Sequence, residues 1–168
     1  MARFFMKLLC LIFLLQTSLN ARDINLNTLT QDIENTDKHL FVWFHKTDCG
    51  YCENMREFTL LNETMKAFIE KYFIFIHINI NEKDNVIYKD FRGDGKEFAS
   101  YIGYNLYPSS FFFNSKKELV FEEIGYLDTN KVANETRFYK ILNFIQSKAY
   151  KDLELHEYIF ITKEVLDD

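Results

Sequence analysis

Two periods of apolar residues run along the chain and lay out its elements. "HLFVWFH" (His39–His45) and "YFIFIHINI" (Tyr72–Ile80) are nearly continuous apolar runs, the signature of buried strands. Between them Met55, Phe58, Leu61, Met65, Phe68 and Tyr72 recur every three or four residues. That spacing predicts one amphipathic helix of about five turns over Glu53–Lys71. Upstream, Ile24, Leu26, Leu29 and Ile33 predict a short N-terminal helix. Downstream, "NEKDNVIYKDFRGDGKEFASYIGY" is polar and carries three of the five glycines. It predicts a crossover with helical turns near Val86–Phe91 and Lys96–Ile102. Ser109–Asn114 and Glu118–Gly125 flank "NSKK" and predict a hairpin. A last helix, with Val132, Phe138, Ile141, Leu142 and Ile145 on its apolar face, is expected from about Thr129 to Tyr150. A C-terminal extension from about residue 151 would dock as a further short helix or strand.

Alternating strands and helices closed by a hairpin predict an α/β fold, a central mixed sheet with helices on both faces and an antiparallel edge. Phe41 and Trp43 read as core. Phe111, Phe112 and Phe113 read as pointing to both faces of a buried strand. Glu118–Glu123 alternates with Leu119 and Phe121 and reads as the solvated face of an edge strand.

The first 21 residues follow a different pattern. Arg3 and Lys7 precede an apolar run from Leu8 to Leu15, then polar residues and the small Ala21. This is the layout of a secretory signal peptide, with an uncleaved N-terminal anchor as the alternative. Residues 22–168 would then form a single domain in a periplasmic or secreted setting, or facing the periplasm from an anchor. Cys10 sits within the apolar run, preceded by Leu9 where lipidation would want a small residue, and reads as a hydrophobe. Cleavage would leave Cys49 and Cys52 as the only cysteines, which excludes dense structural cross-linking.

Charge narrows the partners. Without Arg3 and Lys7 the chain has 18 basic against 25 acidic side chains, a formal charge of −7. An acidic balance with no basic stripe argues against nucleic acid or anionic membrane as the main partner. The 18 Phe and 10 Tyr suggest no function by themselves. "NET" at Asn62–Thr64 and Asn134–Thr136 would accept glycans in a eukaryotic secretory route and means nothing in a bacterium.

The chemistry concentrates in "KTDCGYCENM". Two intervening residues let both sulfurs lie in the first turn of a helix, close enough to bond. Cys49 would meet unsatisfied backbone N–H groups and the positive end of the helix, which favour a thiolate. Cys52, one turn in and shielded, would attack a mixed disulfide formed by Cys49. Gly50 is read as easing a tight turn, and Tyr51 as exposed to a partner. Other readings stay open. A zinc clamp wants four ligands, and no second cysteine pair is present. His45, four residues before Cys49, is a candidate for a shared copper site, while His39, His77 and His156 lack ligand spacing. His45 also fits a plain polar strand end. A purely structural disulfide here would close too small a loop to constrain the unfolded chain much.

With "CGYC" between "FVWFH" and a long helix, and "YPSSFFF" downstream, the chain resembles the thioredoxin superfamily over roughly Leu40 to Ile145. It looks most like secreted bacterial thioredoxin-like proteins of the SoxW type and the catalytic domains of periplasmic disulfide isomerases. The resemblance implies a thioredoxin-like fold and a redox-active dithiol needing no cofactor or metal. It also implies a cis-proline opposite the sulfurs, with the residue before it offering backbone to a bound strand. Pro108, the only proline, falls at that place, so Tyr107–Pro108 is the expected cis bond, an ordinary trans proline being the alternative. Four departures stand out. The buried acid of thioredoxins matches Trp43, and the tryptophan before the first cysteine matches Asp48, whose charge would oppose thiolate formation. Tyr107 stands where Thr or Ile is usual, and the crossover from Ile80 to Tyr107 is long. Isomerases with a similar motif carry a separate dimerisation domain, which the 17 residues from Arg22 to Lys38 cannot supply.

The function expected is extracytoplasmic thiol–disulfide exchange by a monomer. Cys49 and Cys52 would be catalytic, and Gly50, Tyr51, Tyr107 and Pro108 would hold substrate. Partners would be protein thiols and disulfides, with a thiol-transferring membrane protein as electron donor. A reductase comes first; an oxidase, an isomerase, or a non-enzymatic partner- or copper-binding module is the alternative.

Overall fold

The computed structural model describes residues 21–34, 36–126, 128, 132 and 136–167. All but the last residue of the leader read at residues 1–21, Asn134 and the start of the expected last helix at 129–131 lie outside them. Among the described residues no helix is long and apolar enough to cross a membrane.

The main sheet has four strands in the order β3-β2-β6-β7. β2 (His39–His45) pairs in parallel with β3 (Phe73–Asn79) and antiparallel with β6 (Ser109–Phe113), which pairs antiparallel with β7 (Leu119–Ile124). Successive residues of a strand point to opposite faces, so β2 feeds two cores at once. Phe41 and Trp43 join a cluster with Cys49, Cys52, Met55, Phe112 and Phe138. Leu40, Val42 and Phe44 join another with Leu26, Val86, Phe98, Phe111 and Phe113. The strand expectations for both apolar runs and the hairpin hold, as does the two-faced reading of the three phenylalanines.

A second sheet, β1-β4-β5, was not expected. Ile24 lies on β1 (Asp23–Asn25), not on a helix, and α1 starts after it at Leu26–Asp32 because the Asn25 side chain caps it, accepting from the Thr28 N–H. The crossover turn expected near Val86–Phe91 is a hairpin, β4 (Asn85–Tyr88) and β5 (Phe91–Asp94). Its alternation buries Val86 and Tyr88 beneath the main sheet and leaves Ile87 half-buried, a period of two that the short apolar run concealed. α4 (Gly95–Tyr101) starts on a reciprocal cap between Asp94 and Glu97. It packs so closely on β3 that a Cβ at Gly95 would meet the Ile78 side chain at 2.5 Å.

The expected five-turn helix is broken. α2 (Gly50–Met55) runs into a π turn at Arg56–Leu60, and α3 (Glu63–Tyr72) starts afresh. The wider turn rotates the buried face, so Thr59 points inward to Tyr126 (Oγ1···Oη 2.8 Å) and Leu61 is 56% exposed. Asn62 caps α3, its Oδ1 accepting from the N–H groups of Thr64 and Met65. The last core helix, α5, is shorter than expected, Arg137–Gln146. Thr136 caps it, and the Asp128 carboxylate accepts from the N–H groups of Arg137 and Phe138, fixing its start. Val132 is half exposed rather than part of the apolar face. The acidic face of β7 is also corrected: Glu122 accepts from the Tyr104 hydroxyl and Glu123 pairs with Arg137 at 3.0 Å, so both are half-buried. A 3-10 turn (Ala149–Lys151) and α6 (Leu155–Asp167) follow, and Tyr158 lays its ring against Phe144.

Two measurements test this packing. Asn62→Ala removes the α3 cap and should lower stability by about 1 kcal/mol in urea unfolding. His39, at the start of β2, is 2% exposed and bonds Tyr150 (Nε2···Oη 2.9 Å). Burial, helped by the charges of Lys148 and Lys151, lowers its pKa from 6.5 to about 4. The unfolded chain therefore takes up this proton before the folded chain does. The stabilisation is complete above pH 6.5 and is lost as pH falls towards 4. His39→Gln should flatten this acid limb by about 2 to 3 kcal/mol, read from urea midpoints across that range. A residual slope should remain from His45, which is lowered over the same range.

Candidate active site

The site grows from the end of β2. Asp48 has φ 55, a left-handed conformation that Asp tolerates better than most side chains, and it turns the chain into α2. This corrects the reading of Gly50. Gly50 is helical, its φ is not positive, and a Cβ there would meet nothing within 4 Å. The turn is made by Asp48, and Gly50 leaves open space beside the sulfurs.

Cys49 is the N-cap of α2, with extended backbone (φ −118, ψ 101). Its Sγ accepts from the Cys52 N–H at 3.2 Å, so a helix-terminal donor points at the sulfur. Cys49 and Cys52 are joined as a disulfide with Cα atoms 5.2 Å apart, and both are buried, at 8% and 2% exposure. The Tyr107–Pro108 peptide is cis. The Tyr107 carbonyl oxygen lies 3.9 Å from Cys49 Sγ; a disulfide sulfur has no proton to donate across that gap, whereas a reduced thiol has one. Pro108 is buried, and its carbonyl accepts from the Gly125 N–H at 2.8 Å, tying the loop to the end of β7. Tyr107 packs against both core clusters, and burial raises its phenol pKa. The structure thus brings Cys49, Cys52, Tyr107 and Pro108 together.

Two apolar side chains stand exposed beside this centre. Tyr51, between the cysteines, is 61% exposed, and Leu106, beside Tyr107, is 64% exposed. Leu106 was not singled out from the sequence: an apolar residue in a loop carries no periodic signal, and only its exposure next to the cis bond marks it.

Trp43, the residue matched to the acid of thioredoxins, lies in the apolar cluster that holds both cysteines. It is 4% exposed, its Nε1 has no hydrogen-bond partner, and it stacks on the His45 ring at 4.2 Å. Among the described residues the buried carboxylate is Asp84, which pairs with Arg22. His45 faces His77 across β2 and β3, Nε2···Nδ1 3.2 Å. Burial and the neighbouring His77 lower the His45 pKa to about 4, so it is uncharged at neutral pH. Sequence spacing could not show this pair, since 32 residues separate the two histidines. Among the described residues no group of three or more His, Cys, Asp or Glu side chains surrounds a common point.

A sequence model of the thioredoxin-like domain matches residues 26–140. The chain belongs to the thioredoxin-like family. No curated protein matches it in sequence. Among solved structures it is similar to a thioredoxin-fold protein from Helicobacter pylori, with 20% identity, 77% of this chain and 86% of the other covered, and a TM-score of 0.63. A thioredoxin from Thermus thermophilus shares 18% identity over 76% of this chain and 88% of its own, with a TM-score of 0.53. An oxidoreductase named DsbH shares 11% identity over 83% and 92%, with a TM-score of 0.52. At these identities the likeness shows the thioredoxin fold that this chain shares with them.

Asp48 offers a direct test of site electrostatics. Asp48→Asn keeps a residue that tolerates the left-handed turn and removes the charge beside Cys49. In the reduced protein the Cys49 pKa should fall, by roughly half a pKa unit for removal of an exposed neighbouring charge in a high dielectric. Titration of ultraviolet thiolate absorbance reads it, and an unchanged or higher value would remove Asp48 from the account.

Proposed function

We propose that this thioredoxin-like protein is a thiol–disulfide oxidoreductase that reduces protein disulfides outside the cytoplasm. The observation that carries the reading is the disulfide at the head of α2, with the Cys52 N–H on Cys49 Sγ and the Tyr107 carbonyl 3.9 Å away. Family membership and the likeness in fold to oxidoreductases support it.

The cycle begins with the reduced dithiol. The Cys49 thiolate attacks one sulfur of the partner's disulfide, forming a mixed disulfide and releasing the other partner sulfur as a thiolate that takes up a proton. Cys52 then loses its proton and attacks Cys49 Sγ, closing the Cys49–Cys52 bond and releasing the second partner thiol. Two electrons and two protons pass from the protein to the partner. The donor N–H of Cys52 favours the Cys49 thiolate, and the burial of Cys52 keeps it protonated until the mixed disulfide forms. Tyr107, Pro108, Gly50 and Tyr51 would seat the partner strand, with Leu106 extending the apolar rim. A thiol-transferring membrane protein would return the electrons, the protein acting as a monomer after removal of its leader. The basic start at Arg3 and Lys7 followed by the apolar run from Leu8 to Leu15 supports this placement.

The reduction potential of the Cys49–Cys52 couple decides the direction. A value near about −270 mV supports a reductase, and one near about −120 mV an oxidant. Cys49→Ser should abolish turnover of insulin disulfides, while Cys52→Ser should trap a mixed disulfide with the partner visible on non-reducing gels. A Cys49→Ser protein that reduced insulin at the native rate would end the mechanism.

A further inference from the structure

We propose that His45 and His77 form a binding site for a late first-row transition-metal ion, copper(II) binding most tightly, separate from the cysteine pair. The register places His77 opposite Trp43 and Asn79 opposite His45. The two imidazoles therefore stand on one face of the sheet as diagonal neighbours, and their facing nitrogens are 3.2 Å apart. Two nitrogens bound to one ion at about 2.0–2.1 Å lie about 2.9 Å apart at the right angle of a square-planar site and about 3.3 Å apart at the tetrahedral angle. The observed separation lies between these two, so small movements of the rings would bring both nitrogens onto one ion.

The rest of the surroundings favours an ion there. The His45 ring is held by its stack on buried Trp43, with 15° between the planes, so little rotational freedom is lost on binding. His77 is exposed and opens the pair to solvent. The charge of Glu82 acts on His45 and would draw a cation in, although Arg56, also within reach, partly opposes it. In the metal-free pair one ring donates its N–H to the other. On binding, that ring moves the proton to its second nitrogen, and both facing lone pairs go to the ion without net proton release. Imidazole suits copper, zinc and nickel, and the stability order of divalent ions places copper(II) first. No third His, Cys, Asp or Glu among the described residues completes the set, so water or an incoming ligand would fill the remaining positions.

The test uses the oxidised full-length protein, whose disulfide leaves no thiolate to compete. Calorimetric titration with copper(II) alone should show one equivalent bound, and its paramagnetic resonance spectrum should carry couplings from two imidazole nitrogens. His77→Asn, at an exposed position, should weaken binding by more than the roughly 10- to 100-fold that loss of a supporting contact costs, and should remove one nitrogen coupling. His45→Asn should do the same, near-ultraviolet dichroism showing that each variant is folded. A Cys49→Ser/Cys52→Ser protein should bind copper as the native protein does, whether or not the redox reading stands. Absence of stoichiometric binding to the oxidised protein, binding that appears only after reduction, or unchanged affinity in His77→Asn would each overturn the proposal.

Discussion

Everything at the site depends on β2 being buried on both faces. A strand with parallel β3 on one side and antiparallel β6 on the other has its backbone groups paired throughout its length. Its side chains divide between two aromatic clusters, Phe41 stacking on Phe112 on one face and Phe44 meeting Phe111 edge-on on the other. A one-residue slip would exchange the two sets, so the register is held from both sides. The end of this strand is therefore a fixed point. The short loop from it delivers Cys49 to the head of α2, and the antiparallel partner β6 begins at Ser109, directly after Pro108. One strand pair thus brings residues 49 and 107 within van der Waals range although 58 positions separate them.

The local backbone completes what the sheet begins. Asp48 in its left-handed conformation reverses the chain, and Cys49 takes the role that Ser, Thr, Asp or Asn ordinarily fills at a helix start. A sulfur in the capping position accepts the N–H that a hydroxyl would accept, and that same contact favours its ionised form once reduced. Structural capping and redox activation are then one interaction. The π turn after Met55 serves the same end of the molecule. By turning Thr59 inward to Tyr126, it ties the helix that carries the cysteines to the residue that follows β7 and Gly125.

The main sheet was legible in the sequence because its strands are long and apolar, and the cysteine pair because its spacing and flanks are chemically restrictive. The small sheet was not, since Val86, Ile87 and Tyr88 form a run too short to separate a period of two from a helical turn. The break after Met55 was hidden for the opposite reason. The apolar period through Met65 and Phe68 is regular, and only the capping geometry of Asn62 shows that a second helix begins there. Gly50 was credited with a turn that Asp48 makes, because backbone angles follow from the whole loop and not from one permissive residue. The pairing of His45 with His77 depends on strand register, which no spacing along the chain encodes.

Trp43 links the two chemistries of this sheet face. As a large apolar residue in the cluster that holds both cysteines, it stands where the resemblance to thioredoxins would place an acid, and it offers Cys52 no carboxylate. As an aromatic ring it also fixes the plane of His45 and so the direction of the imidazole towards His77. An acid at this position would have done neither: it would offer no face to stack on, and its charge would favour a protonated His45. The missing carboxylate and the fixed plane of the His45 ring therefore follow from the same residue, and a Trp43→Asp protein would be expected to change both together.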